Sequence, residues 1–270
     1  MGRIEDRFAA LREAKQPALV AYVTAGDPDY AASREILLAL ERGGADVIEV
    51  GVPFSDPIAD GPSIQRATER ALASGGNLAR TLDLVADVRA SISAPLVLFT
   101  YVNPVLRMGA RGFAERAAVC GVDGVLLLDL PIEESASMHA ELNARGLDQI
   151  FLVSPTTTDA RLADAARHGR GFLYAISRLG VTGTRQSVSG MAETLVARVR
   201  ALTPMPVAVG FGISRPEHVR DVCAYADAAV VGSAIVDVIG EAAAAGRSPA
   251  NEVEAFVRWL KSGEESGGAE

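Results

Sequence analysis

Lysine is almost missing from this chain of 270 residues: Lys15 and Lys261 are the only two, and both fall in segments that read as peripheral helices. No interior lysine is therefore at hand to form an imine with a carbonyl substrate or with pyridoxal phosphate. Cysteine is equally scarce. Cys120 and Cys223 have no CxxC spacing and no third partner, which argues against a disulfide framework or a thiolate metal site. The three histidines, His139, His168 and His218, lie on outer-helix patterns and do not cluster at ligand spacing, so they read as surface residues and no metal is expected. A basic stripe is also missing. The formal charge is 26 − 34 = −8, and a pI of 5.1 disfavours a polyphosphate partner, so no nucleic acid is expected. No apolar run reaches the ~18–20 residues that span a bilayer, and the segment from Met1 to Arg7 lacks the apolar core of a signal peptide. These features predict a cytoplasmic protein with no membrane contact.

What is present is a core-forming chain. Hydrophobic residues make up 49% and charged residues 22%, ordinary globular usage that argues against disorder. Eight short apolar runs recur: Ala18–Val23, Val47–Val50, Pro95–Thr100, Gly124–Leu128, Gln149–Val153, Gly171–Ala175, Pro206–Gly210 and Ala228–Val231. Between them lie helical patterns with N-terminal signals, among them Asp29 before Tyr30–Arg42, Asn77 before Leu78–Ile92, Pro131 before Ile132–Arg145 and Asp159 before Ala160–His168. The runs are continuously apolar, as expected of parallel strands covered on both faces. Eight βα repeats predict an α/β fold, a (β/α)8 TIM barrel, with a doubly wound open sheet as the alternative. An extra N-terminal helix over Ile4–Lys15 is expected to cover the barrel floor. The barrel is expected to occupy 1–261 as a single domain, followed by a disordered Gly-, Ser- and Glu-rich tail over 262–270.

In such a barrel, chemistry belongs at the C-terminal ends of the strands. Glu49 stands near the end of the second strand among aliphatic neighbours. Burial of a carboxylate there is costly unless it is paired or its pKa rises, and a raised pKa suits a group that both gives and takes a proton. An arginine partner from another strand is the structural alternative. The following loop, Phe54 to Pro62, carries Asp56 and Asp60; each has a local alternative, an Asx turn for Asp56 and a helix cap for Asp60. Asp60 returns to the rim, where it and Glu49 can face one substrate from unlike surroundings. Asp129, at the end of the fourth strand, reads as a loop-fixing or interface carboxylate.

Gly210-Phe211-Gly212-Ile213-Ser214 after the seventh strand and Val231-Gly232-Ser233-Ala234 after the eighth are positions where backbone N–H groups can cradle a phosphate, with a short helix from Ser233 aiming its positive end at the same point. Gly180 to Gly183 after the sixth strand offers a lid loop with hydroxyl and N–H donors, with Arg178 and Arg185 either supporting it or solvated. No Ser-His-Asp set assembles at the rim and no Rossmann fingerprint follows the first strand. Acid–base chemistry by carboxylates on a phosphorylated small molecule fits best. A sugar-phosphate isomerase and a non-catalytic phosphate-ligand binder are the rival readings.

The stretch Ile48-Glu49-Val50-Gly51-Val52-Pro53-Phe54-Ser55-Asp56-Pro57-Ile58-Ala59-Asp60-Gly61-Pro62 closely resembles the signature of the tryptophan synthase α chain family. The resemblance runs along essentially the whole chain, through Tyr22 to Pro28, Tyr101-Val102-Asn103-Pro104, Asp129-Leu130-Pro131, Ser177 to Gly183 and both glycine turns. It implies an indole-3-glycerol-phosphate lyase of tryptophan biosynthesis that yields indole and glyceraldehyde 3-phosphate. It further implies Glu49 as proton shuttle and Asp60 as acceptor of the ring N–H. Gly183, Gly212, Gly232 and Ser233 would bind the phosphate, with Tyr174 and Thr182 beside it. Tyr22, Thr100, Leu128, Leu152 and Phe211 would form the indole walls. Also implied are an α2β2 tetramer with a β chain, with pyridoxal phosphate in that partner and no cofactor here, and a docking surface of rim loops bearing Pro53, Pro57, Ile58, Asn103 and Pro104.

Overall fold

The computed structural model describes residues 2–176, 185–210 and 212–263, the side chains of 185–189 excepted. The chain opens on α1 (Arg3–Glu13) and then alternates. It runs through β1 (Ala18–Thr24), α2 (Tyr30–Arg42), β2 (Val47–Gly51), α3 (Pro62–Ala73), α4 (Leu78–Arg89), β3 (Leu96–Thr100), α5 (Val102–Met108), α6 (Ala110–Cys120) and β4 (Gly124–Leu127). A 3-10 turn (Ile132–Glu134) leads to α7 (Ala136–Asn143), β5 (Asp148–Val153), α8 (Asp159–His168), β6 (Leu173–Ile176), α9 (Arg185–Arg200) and β7 (Val207–Gly210). The chain ends on α10 (Pro216–Cys223), β8 (Ala228–Val231), α11 (Ser233–Ala244) and α12 (Pro249–Ser262). The eight strands pair in parallel and in chain order, with β8 returning to β1, which closes the expected (β/α)8 barrel.

Two apolar layers follow from strand alternation. Val20, Val47, Val97, Leu126, Ile150, Ala208 and Ala228 fill the barrel interior, while Leu19, Ile48, Leu98, Val125 and Val209 meet the helices outside. α1 closes the floor as expected. Its Ile4, Phe8 and Leu11 join the interior layer, and the Phe8 and Phe172 ring centroids lie 5.7 Å apart. Buried Asp46 takes Arg7 at 2.6 Å and Lys261 at 2.8 Å, and Asp123 takes Arg3 at 2.8 Å. The same two carboxylates accept the Leu19 and Leu96 backbone N–H groups, so the lower rim is held by charge-assisted bonds. Lys261 is thus an anchor of the floor.

Asp29 and Asn77 cap their helices as the sequence suggests. Elsewhere local chemistry shifts boundaries. Thr158 caps α8 instead of Asp159, whose carboxylate pairs with Arg198 at 2.6 Å. The expected helix over Ile132–Arg145 breaks at Ser135, whose hydroxyl donates to the Ile132 carbonyl at 2.7 Å and ends the first turn. β6 starts at Leu173 because Gly171 has φ +76°, outside strand geometry. His139 is half-buried, its Nδ1 without a partner among the described residues, because α7 turns it toward His168 with ring centroids 5.9 Å apart. α12 ends at a left-handed Gly263, and residues 264–270 lie outside the described residues. Among the described residues no helix is long and apolar enough to cross a membrane.

Candidate active site

β2 delivers the first functional group. Val47, Glu49 and Gly51 point inward on alternate positions, and Glu49 is 0% exposed with neither carboxyl oxygen bonded to a partner among the described residues. The arginine pairing that sequence left open is not made among them. Burial pushes the Glu49 carboxyl up to about 8, so it holds its proton at neutral pH. Its register neighbour on β1 is Tyr22, which meets Phe99 of β3 edge-on with centroids 5.0 Å apart. The phenols of Tyr22 and Tyr174 are both held well above the usual range, by burial first; for Tyr174 the nearby Glu49 adds to the shift. Glycines make room for both rings. A Cβ on Gly51 would collide with the Tyr22 ring, and one on Gly210 would fall 2.5 Å from the Tyr174 hydroxyl.

The loop after β2 delivers the second carboxylate. Asp60 is half-buried, and Oδ2 accepts a hydrogen bond from the Tyr101 hydroxyl at 3.1 Å. Tyr101 in turn accepts the Ala59 N–H at 3.0 Å and packs its ring 5.2 Å from Phe54, so the loop is pinned to the end of β3. Burial raises the Asp60 carboxyl and the Tyr101 bond pulls it partly back. Asp60 does not cap α3: Gly61 is the N-cap and Pro62 begins the helix. Tyr22 and Glu49 line one cavity, and after burial the charge of Asp60 raises the Tyr22 phenol further. Asp129 accepts the Val102 N–H at 2.7 Å and fixes the start of α5, a loop-fixing role.

A cavity of about 340 Å³ opens at this end of the barrel. Glu49, Tyr22, Phe99 and Tyr174 line it together with Gly212, Ser214, Gly232 and Ser233. α11 starts at Ser233 as expected, but it runs to Ala244 and is longer than a short terminal piece. Its N-cap, Gly232, has no side chain, so the N–H groups of the first turn are left for a ligand. Among the described lining residues there is no lysine or arginine; Asp237 and Glu49 are the carboxyl groups.

The indole wall differs in part from expectation. Leu128 and Leu152 line a second cavity of about 370 Å³, and Ile176 lines both. Thr100 is not brought in, because it shares the outward side of β3 with Leu96 and Leu98; Phe99 is the β3 side chain that faces the cavity. Phe211, Thr182 and Gly183, with Arg178, lie outside the described residues, as does the side chain of Arg185. Sequence reading missed Phe99 and Asp237 and gave Tyr101 no role of its own, while Ser214 lies in the glycine turn after β7 that it singled out. Strand parity relative to Glu49 would have found Phe99; Asp237 and Tyr101 are brought in by tertiary contact alone.

A family model described as tryptophan synthase alpha chain matches residues 8–265. The chain is 49% identical over 265 residues to the tryptophan synthase alpha chain of Solibacter usitatus, covering 97% of this chain and 98% of that one. Among solved structures it is similar to tryptophan synthase subunit alpha from Legionella pneumophila, with TM-score 0.90, 34% identity and 97% of each chain covered. Tryptophan synthase from M. tuberculosis in an aminoacrylate-bound form gives TM-score 0.87 and 37% identity, covering 97% of this chain and 99% of that one.

Proposed function

This chain belongs to the tryptophan synthase alpha chain family and cleaves indole-3-glycerol phosphate to indole and glyceraldehyde 3-phosphate, and we propose that Glu49 and Asp60 carry the reaction. Glu49, protonated at neutral pH, gives its proton to indole C3 and creates an indoleninium. The resulting carboxylate then takes the proton of the hydroxyl on the side-chain carbon attached to C3. The carbon–carbon bond breaks, its electron pair returns to the ring to neutralise the nitrogen, and indole and the aldehyde form with Glu49 protonated again. The ring nitrogen is the electron sink, so neither lysine nor metal is required. Asp60, held by Tyr101, accepts the hydrogen bond of the ring N–H as positive charge grows there.

The phosphate end is assigned to the backbone donors at Gly212, Gly232 and Ser233, with Tyr174 alongside and Thr182 and Gly183 completing the cradle. Tyr22, Phe99, Leu128 and Leu152, together with Phe211, are assigned to the indole ring. The chain works with a β chain, and in our reading the pyridoxal phosphate of the pair resides in that partner within an α2β2 tetramer in the cytoplasm. Ile58, 85% exposed on the loop after β2, and Leu106, 61% exposed on α5 after β3, place apolar side chains at the catalytic rim, which suits such a partner.

The observation that carries this reading is the buried Glu49 carboxyl that lines the cavity with no partner among the described residues. The test is indole release from indole-3-glycerol phosphate, with and without a β chain. Glu49→Gln is expected to lower kcat by roughly 10²–10⁴ while substrate binding is largely kept. Unchanged turnover would refute the role of Glu49 and favour a binding subunit.

A further inference from the structure

The phosphate cradle contains a carboxylate that works against it. Asp237 follows Ser233 by one helical turn on α11, so it shares the face of the cradle and leans back toward the helix N-terminus. It lines the same cavity as Gly212, Gly232 and Ser233, where no lysine or arginine stands among the described lining residues. Left alone, its charge would repel a phosphate dianion and cancel much of the benefit of the helix terminus. It is not left alone. Oδ2 accepts from the Ser63 hydroxyl at 3.0 Å, and Oδ1 accepts from Arg66 Nη2 at 3.2 Å. Arg66 Nη2 also donates to Ser63 Oγ at 3.2 Å. Both partners sit in the first turns of α3, the helix that follows the Asp60 loop.

We propose that Arg66 is a positioning residue for the phosphate end of the substrate: paired with Asp237, it neutralises the carboxylate beside the α11 terminus and lets a dianion settle there. This rests on the phosphate assignment made above. Ser63 completes the relay by fixing the Asp237 carboxylate toward α3. A consequence is that α3 ties the Asp60 loop to the phosphate helix by a charge pair, independently of apolar packing.

The test is calorimetric titration of the full-length chain with inorganic phosphate and with glycerol 3-phosphate at low and high ionic strength. Arg66→Gln is expected to weaken both ligands about fivefold at low salt and less at high salt, the size of a half-exposed charge pair. Arg66→Lys keeps wild-type affinity. Adding Asp237→Asn to Arg66→Gln restores affinity to within about twofold, since the carboxylate to be neutralised is gone. Unchanged affinity in Arg66→Gln overturns the proposal, and so does a double variant as weak as the single one. Ser233→Asp separates this inference from its premise. It strikes the cradle itself and must abolish phosphate binding; binding that survives it refutes the phosphate assignment, whereas its loss with no response to Arg66→Gln refutes only the role of Arg66.

Discussion

Tyr101 donates its hydroxyl proton to Asp60 Oδ2 across 3.1 Å. The donor stands immediately after β3 and the acceptor on the loop after β2, so one bond fixes a mobile type of element, a loop, to the wall of a closed barrel. The bond also works against burial by favouring the ionised form of Asp60, the form that can receive the ring N–H.

Removal of that bond by Tyr101→Phe is therefore expected to lower kcat/KM by roughly tenfold to a hundredfold, the range for a hydrogen bond to a charged group. The acidic limb of the pH–rate profile moves to higher pH, because the carboxyl loses the contact that lowers its pKa. A steady-state pH profile checks both effects, and an acidic limb that stays in place contradicts the pairing.

Glu49 links stability to pH in the direction opposite to an ordinary salt-bridged carboxylate. Its pKa is raised from 4.5 to about 8 in the folded chain, so the folded state holds a proton that the unfolded state has lost between those values. The stability that Glu49 contributes is complete below about 4.5 and is lost as pH rises through about 8. Glu49→Gln does not titrate. Its stability relative to wild type should rise steadily over this window and level off above it, as read by denaturant unfolding at a series of pH values. A difference that does not vary with pH contradicts the buried neutral acid.

Gly51 is a packing requirement of the site. A methyl group there would lie 2.6 Å from Tyr22 Cζ and 2.8 Å from Cε2, so the ring beside Glu49 must move. Gly51→Ala is expected to cost about 1–3 kcal/mol in denaturant unfolding, as overpacking does, and to lower indole release. Wild-type stability together with wild-type turnover would show that Tyr22 is not held in place.

Much of this was legible from residue patterns, for identifiable reasons. The strands announced themselves because parallel strands covered on both faces are continuously apolar, and β8 falls on the expected bounds of Ala228–Val231. Glu49 was visible because a carboxylate among Val47, Ile48 and Val50 has no cheap structural explanation. The same continuous apolar run hid parity in β3. Leu96 to Thr100 carries no alternation, so residue pattern alone does not tell that Phe99, and not Thr100, faces the cavity. Tyr101 and Arg66 were illegible for another reason. Their partners, Asp60 and Asp237, lie 41 and 171 residues away, and only barrel closure brings them together.

The central claim, that residue 49 is a buried acid holding its proton at neutral pH, is tested most directly by titrating the carboxyl carbon of Glu49, observed by carbon-13 NMR in the folded chain and assigned with Glu49→Gln. A midpoint near 8 is expected. A midpoint at the ordinary value of 4.5 would mean that the carboxyl is solvated or paired, and the account of proton transfer would fail.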